Sequence, residues 1–136
     1  MRTRIYAHFI DANPAEGEET GVEGGLQFYD GTERSWKPLV GDLHFFVDGR
    51  KIGVARTDGY GKFLFKFRAF GLGKHKFEIR YSGGRDYEPS TKSLEFKVVR
   101  KEEKSRLMIL ARNVAISFIL LVVFLILVIF IVKILL

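Results

Sequence analysis

The sequence predicts an all-β domain followed by a single membrane-spanning helix. Bulky apolar residues recur at every second position between Ile5 and Val98, the period of a strand with one buried face. Short Gly-containing turns interrupt the alternation, and no helical period appears within it. Beyond it, Val114–Val132 runs for 19 residues without a charge, with Ser117 as its one clearly polar member. About seven short strands with closely spaced turns make a β-sandwich or barrel.

The elements follow in chain order. Ile5, Ala7 and Phe9 alternate in the first strand. A polar, acidic connection from Asp11 to Gly24 comes next, with Pro14, Gly17 and Gly21 inside it. Leu26 and Phe28 mark a short strand, Tyr29–Arg34 a turn, and Trp36–Gly41 a lead into Leu43, Phe45 and Val47. Asp48-Gly49 is the strongest local signal, because a two-residue hairpin turn needs positive φ at both centres. Lys51–Thr57 is its return strand, and Asp58-Gly59-Tyr60-Gly61 reads as a second such turn. Lys62–Arg68 then points Phe63, Phe65 and Phe67 inward. Phe70–Gly73 bridges to Lys74–Tyr81, where His75, Phe77, Ile79 and Tyr81 share a face. Ser82–Ser90 is a loop, and Leu94, Phe96 and Val98 complete the last strand.

An apolar run of 10–14 residues is usually a core helix, but 19 residues apolar on every face are too many for a small domain to bury. About 20 residues at about 1.5 Å each cross a hydrocarbon core of about 30 Å. The charge distribution fits this division. Residues 1–99 carry 16 Lys/Arg against 14 Asp/Glu. Arg100–Arg112 carries five basic residues against Glu102 and Glu103, and Lys133 supplies the remaining charge of the net +6. Three regions follow: a β domain over 1–99, a basic juxtamembrane neck over 100–112, and a transmembrane helix over 113–136. Lys101, Lys104, Arg106, Arg112 and Lys133 are the expected membrane-interface residues. A nearly neutral domain predicts no nucleic-acid partner.

From Pro38 onward the residues resemble a known family. Pro38-Leu39-Val40-Gly41, Phe46-Val47-Asp48-Gly49, Ile52-Gly53, Thr57-Asp58, Gly61-Lys62-Phe63, Gly73-Lys74-His75, Tyr81-Ser82-Gly83, Tyr87 and Pro89-Ser90 stand in order. The progression is similar to bacterial and archaeal immunoglobulin-like domains, common in surface and cell-wall proteins. The resemblance implies an immunoglobulin-like β-sandwich. It also implies that His75 stands near the place of the corner Tyr, whose side chain bonds back to the backbone.

Catalytic motifs are missing. His8, His44 and His75 show no metal-ligand spacing, and the chain has no cysteine. No nucleophile elbow is present, and Gly59-Tyr60-Gly61 is not followed by a helix that could cradle phosphate. The carboxylates Asp11, Glu16, Glu18, Glu19 and Glu23 lack the spacing of a calcium loop and read as a solvated segment. The chain is therefore expected to be no enzyme, with no cofactor and no small-molecule substrate. Aromatics in turns or on the outer faces of strands are candidate partner contacts: Trp36, Tyr60, Phe70 and Tyr87, with Tyr29 and Phe46 beside them. Trp36, the lone Trp, also suits core or loop packing.

The expected function is a non-catalytic binding or scaffold module at the cell membrane, an accessory component of a membrane protein assembly. Its partners are membrane lipid and a membrane protein. The alternative is an extracellular envelope or adhesion module that binds carbohydrate or another surface protein. The basic neck favours a cytoplasmic β domain, as does the lack of an apolar stretch after Met1–His8.

Overall fold

The computed structural model of the protein describes residues 1–136, the side chain of Leu107 excepted. Eight strands precede one helix: β1 (Thr3–Phe9), β2 (Glu19–Asp30), β3 (Ser35–Pro38), β4 (Asp42–Val47), β5 (Arg50–Arg56), β6 (Lys62–Arg68), β7 (Gly73–Tyr81), β8 (Ser90–Val98) and α1 (Lys101–Leu135). The strands make two antiparallel four-stranded sheets. In the first, β1 lies along one side of β2. The other side of β2 is shared, with β6 on Glu19–Gly25 and β3 on Gln27–Asp30. The second sheet has the order β5-β4-β7-β8. Residues 1–100 and 101–136 are two separate units, dividing one residue beyond the expected boundary.

The period-two alternation builds the core. Ile5, Val22, Leu26 and Phe63 of the first sheet join Leu43, Phe45, Phe77, Ile79, Phe96 and Val98 of the second in one buried cluster. Each fully buried side chain of this size contributes about 1.5–3 kcal/mol. Aromatic rings link the sheets. Phe45 of β4 stacks on Phe65 of β6 with centroids 4.1 Å apart and planes 2° from parallel. Phe67 lies 5.2 Å from Phe77 and 5.5 Å from Phe96. Gly53 makes room for the first stack, since a Cβ there would sit 2.6 Å from the Phe65 ring.

The Asp48-Gly49 hairpin forms as read, with φ of 49° and 83° and Val47 paired to Arg50. Three other expectations change. The strands number eight, because Ser35–Pro38 pairs with the end of β2. The acidic connection is shorter than expected, because β2 begins at Glu19. Its alternation continues through Thr20, Val22 and Leu26, all buried, but Gly24 and Gly25 hide it in the sequence. Gly24 is a packing requirement: a Cβ would lie 1.9 Å from the Tyr6 carbonyl oxygen of β1.

Asp58–Gly61 is a turn but not a hairpin, because β5 and β6 belong to different sheets. The Asp58 side chain accepts bonds from the amides of Tyr60 (2.8 Å) and Lys62 (2.9 Å), which turns the chain across the gap. Thr57, buried, anchors the crossover. Its hydroxyl donates to the Leu39 carbonyl at 2.7 Å and accepts from the Gly41 amide at 2.9 Å. Lys101–Arg112, most of the basic neck, forms the first turns of α1.

Residues 1–100 hold their own core and are expected to fold without the helix to a β-rich, cooperatively melting unit. In that unit Phe45→Ala should cost about 3–5 kcal/mol. Gly53→Ala should cost about 1–3 kcal/mol by forcing Phe65 out of its stack. Urea unfolding of the two variants measures both. A Gly53→Ala protein as stable as the parent would contradict the role given to the stack.

Candidate functional site

The four candidate contact aromatics do not converge on one patch. Tyr60 is 79% exposed in the turn before β6, and Phe70 is 66% exposed just after β6. A seven-residue strand at about 3.4 Å per residue separates them. Tyr87 packs against the core, edge-on to Phe28 at 5.3 Å. Trp36 lies half-buried on the first sheet beside Tyr29, and the guanidinium of Arg4 sits 4.1 Å from its ring centroid. Arg2 covers Tyr29 at 5.0 Å. These cation–π contacts occupy the ring faces that a partner would use. Phe46 is covered likewise by Arg80 at 4.1 Å.

A different feature brings two strand edges and three cations together. β5 pairs only with β4, and β6 only with β2, so each presents a free edge. The strands connect through residues 57–61 and open toward the other end, where a cleft of about 650 Å³ lies between them. Phe65, Phe67 and Phe96 line it, with Arg50, Lys66 and Arg68 also at its wall. The pairing places these residues. In β5, Gly53 faces Phe45 and Lys51 faces Phe46, so Ile52 is an extra, bulged residue. A bulge re-aims the side chains beyond it. Arg50 thereby comes onto the same face as Val47, which packs against the core.

The free edge of β6 can be located residue by residue. The Gly21 carbonyl accepts from the Ile10 amide, on the β1 side of β2. Lys66, its partner across β2–β6, therefore turns its own N–H and C=O away from β2. Leu64 and Arg68, two residues to either side, do the same. Their side chains point to the outer face of the sheet, because Phe63, Phe65 and Phe67 take the inner one.

His75 and Asp48 stand at one wall of the cleft. The imidazole Nδ1 lies 2.6 Å from Asp48 Oδ2, and Nε2 lies 2.5 Å from the Gly71 carbonyl oxygen. Phe96 stacks on the ring at 5.2 Å. A carbonyl and a carboxylate only accept, so both ring nitrogens must donate, and the imidazolium is the form that satisfies both. The hydrogen bond to Asp48 first, and that to Gly71 second, raise the His75 pKa above its ordinary value. The bond to His75, and then that from the Lys76 amide, lower the pKa of Asp48. The bond to Gly71 ties the ring to backbone four residues upstream.

The remaining candidates lie elsewhere. Lys101, Lys104, Arg106 and Arg112 lie in the first twelve residues of α1, and Lys133 in its last turn. Three of the five carboxylates of residues 11–24 serve local partners. Asp11 accepts from the Asn13 amide, Glu18 from the Ala15 amide, and Glu23 pairs with His8 at 2.8 Å. The cleft leaves no local signal in the sequence, because Arg50 is separated along the chain from Lys66 and Arg68. The bulge and the crossover that unite them depend on strand pairing.

The His75–Asp48 pair makes stability depend on pH at both ends. The raised His75 contributes in full below its unfolded pKa of about 6.5 and loses that contribution as pH rises through the folded value. The lowered Asp48 contributes in full above its unfolded value near 3.8 and loses that contribution as pH falls through the folded one. Residues 1–100 should therefore melt higher at about pH 5–6 than at about pH 8–9. Asp48→Asn keeps the turn, since Asn tolerates positive φ, and should flatten this slope, as should His75→Ala. A slope unchanged in both variants would refute the pairing.

No family model matches the chain. It is 48% identical over 122 residues to an uncharacterized protein of Archaeoglobus fulgidus, covering 89% of this chain and 84% of that protein. The matched length exceeds the 100 residues of the β unit, so the likeness continues into the helix. The chain belongs to the same family as this archaeal protein.

Proposed function

We propose that the protein is a single-pass membrane protein whose helix anchors a non-catalytic, immunoglobulin-like binding module. In this reading it serves as an accessory component of a membrane protein assembly. The observation that carries the reading is α1, which is long and apolar enough to cross a membrane. Its apolar residues from Val114 to Val132 are exposed on every face and extend for about 28 Å. A continuous helix satisfies its own backbone in lipid, where no water can. Lys133 then stands at one interface and the basic first turns at the other.

The strand order supports the immunoglobulin-like reading. β1-β2-β6 on one side and β5-β4-β7-β8 on the other correspond to strands A-B-E and C′-C-F-G of such sandwiches. The two sheets contribute to one core, as a sandwich requires. His75 lies near the start of the strand equivalent to F and bonds back to Gly71, in keeping with the corner position. The basic residues Arg100, Lys101, Lys104, Arg106 and Arg112 support a cytoplasmic β domain, against Lys133 alone beyond the apolar run.

Membranes from cells expressing the full chain should retain it in the pellet after a high-pH carbonate wash. Val123→Arg together with Ile126→Arg adds about 2.5–3.5 kcal/mol of insertion cost per residue and should move the protein to the supernatant. Release of the unaltered chain by carbonate would overturn the anchor. Protease added outside intact protoplasts should leave the β domain whole. Its digestion would place the domain outside and favour an envelope or adhesion module.

A further inference from the structure

We infer that the free edge of β6 is a docking site for an extended acidic segment of a partner protein, which adds to the first sheet as a further strand. The inference rests on reading the β domain as a binding module and names the chemistry of what it binds.

Each part of the edge constrains the ligand. Leu64, Lys66 and Arg68 turn their backbone N–H and C=O groups outward, a ready template for main-chain pairing. Side chains of an added strand would alternate between two environments. Those on the outer face would lie beside Lys66 and Arg68, within cross-strand reach of about 5 Å. Those on the inner face would enter the cleft over Phe65 and Phe67, with Arg50 at its wall. The matching sequence is therefore carboxylate–apolar–carboxylate.

Charge decides among occupants. Lys66 and Arg50 have no ion-pair partner among the described residues. Arg68 spends one guanidinium nitrogen on the Gly17 carbonyl at 3.0 Å. A second copy pairing antiparallel through the same edge would set Lys62 against Arg68, or Lys66 against Lys66, depending on register, and like charges directly opposite destabilise a strand pair. A small amphiphile could use the 650 Å³ cleft but would leave the outward backbone groups of β6 unpaired. The bulge at Ile52 and the crossover keep β5 from closing the edge itself.

The test uses the full chain in detergent micelles and a labelled heptapeptide, Thr-Val-Glu-Phe-Glu-Val-Thr, matched to the seven residues of β6. The expected result is saturable binding by fluorescence anisotropy, weaker in high salt. Hydrogen exchange across residues 62–68 should slow on binding. Lys66→Glu together with Arg68→Glu should weaken binding by about tenfold. Lys66→Glu alone keeps the Arg68 bond to Gly17 and should weaken it by a smaller factor. Replacing the peptide's Phe by Ser, or both its Glu by Lys, should abolish binding.

Absence of binding, or binding without slowed exchange at 62–68, would overturn the proposal. Displacement by dodecanoate, itself giving no slowed exchange, would assign the cleft to an amphiphile instead. A peptide-free dimer protected at 62–68 would assign the edge to a second copy. None of these failures touches the anchor, which carbonate extraction reads from α1 alone.

Discussion

The stack of Phe45 on Phe65 is the contact on which the β domain depends. It joins a fully buried residue of one sheet to a residue near the open edge of the other. No hydrogen-bonded ladder links β6 to β5, so side-chain packing must hold the two sheets at this end. The stack also sets a steric condition on β5, met by the missing side chain of Gly53. Phe67, Phe77 and Phe96 extend the aromatic contact toward His75. A core of rings at van der Waals distance is stiff, which lets one edge of the domain remain open without collapse.

That openness follows from two local events in β5. The extra residue Ile52 re-aims Arg50, and the crossover at residues 57–61 sends the chain to the other sheet. An exposed strand edge is a hazard that proteins guard with lysine and bulges. Here the guarding charges stand beside an aromatic cleft. The opposite side of the domain is more fully covered. There the Lys97 amide donates to the Ala12 carbonyl, and the Val99 amide to Pro14.

Much of the fold was legible in the sequence. The alternation of Phe63, Phe65 and Phe67, the positive-φ pair Asp48-Gly49 and the uncharged run after Asn113 each express one strong local rule. The bonds of His75 to Asp48 and Gly71 depend on strand pairing and on the Gly71 turn, which local patterns do not encode. β2 was partly hidden, because Gly24 occupies a core-facing position where sequence shows no apolar side chain. β3 escaped because four residues carry too little periodicity. The Asp58 turn reads as a hairpin in sequence because hairpins and sheet-to-sheet crossovers use the same turn chemistry. The cleft and its cations were not legible, since Arg50 meets Lys66 and Arg68 only after a bulge and a change of sheet. Residue type alone does not show that Trp36 is covered by Arg4, from two strands away, or Phe46 by Arg80 of the adjacent strand.

A β domain with one open, basic edge is followed by a helix suited to lipid. We propose that Val114–Val132 crosses a bilayer. The chain has no cysteine, so single cysteines can be introduced one at a time along residues 108–136 without background. In proteoliposomes, a membrane-impermeant maleimide should leave the positions from 114 to 132 unlabelled. It should label the two flanks from opposite sides of the membrane. Labelling at the middle of the run, or of both flanks from the same side, would contradict a spanning helix.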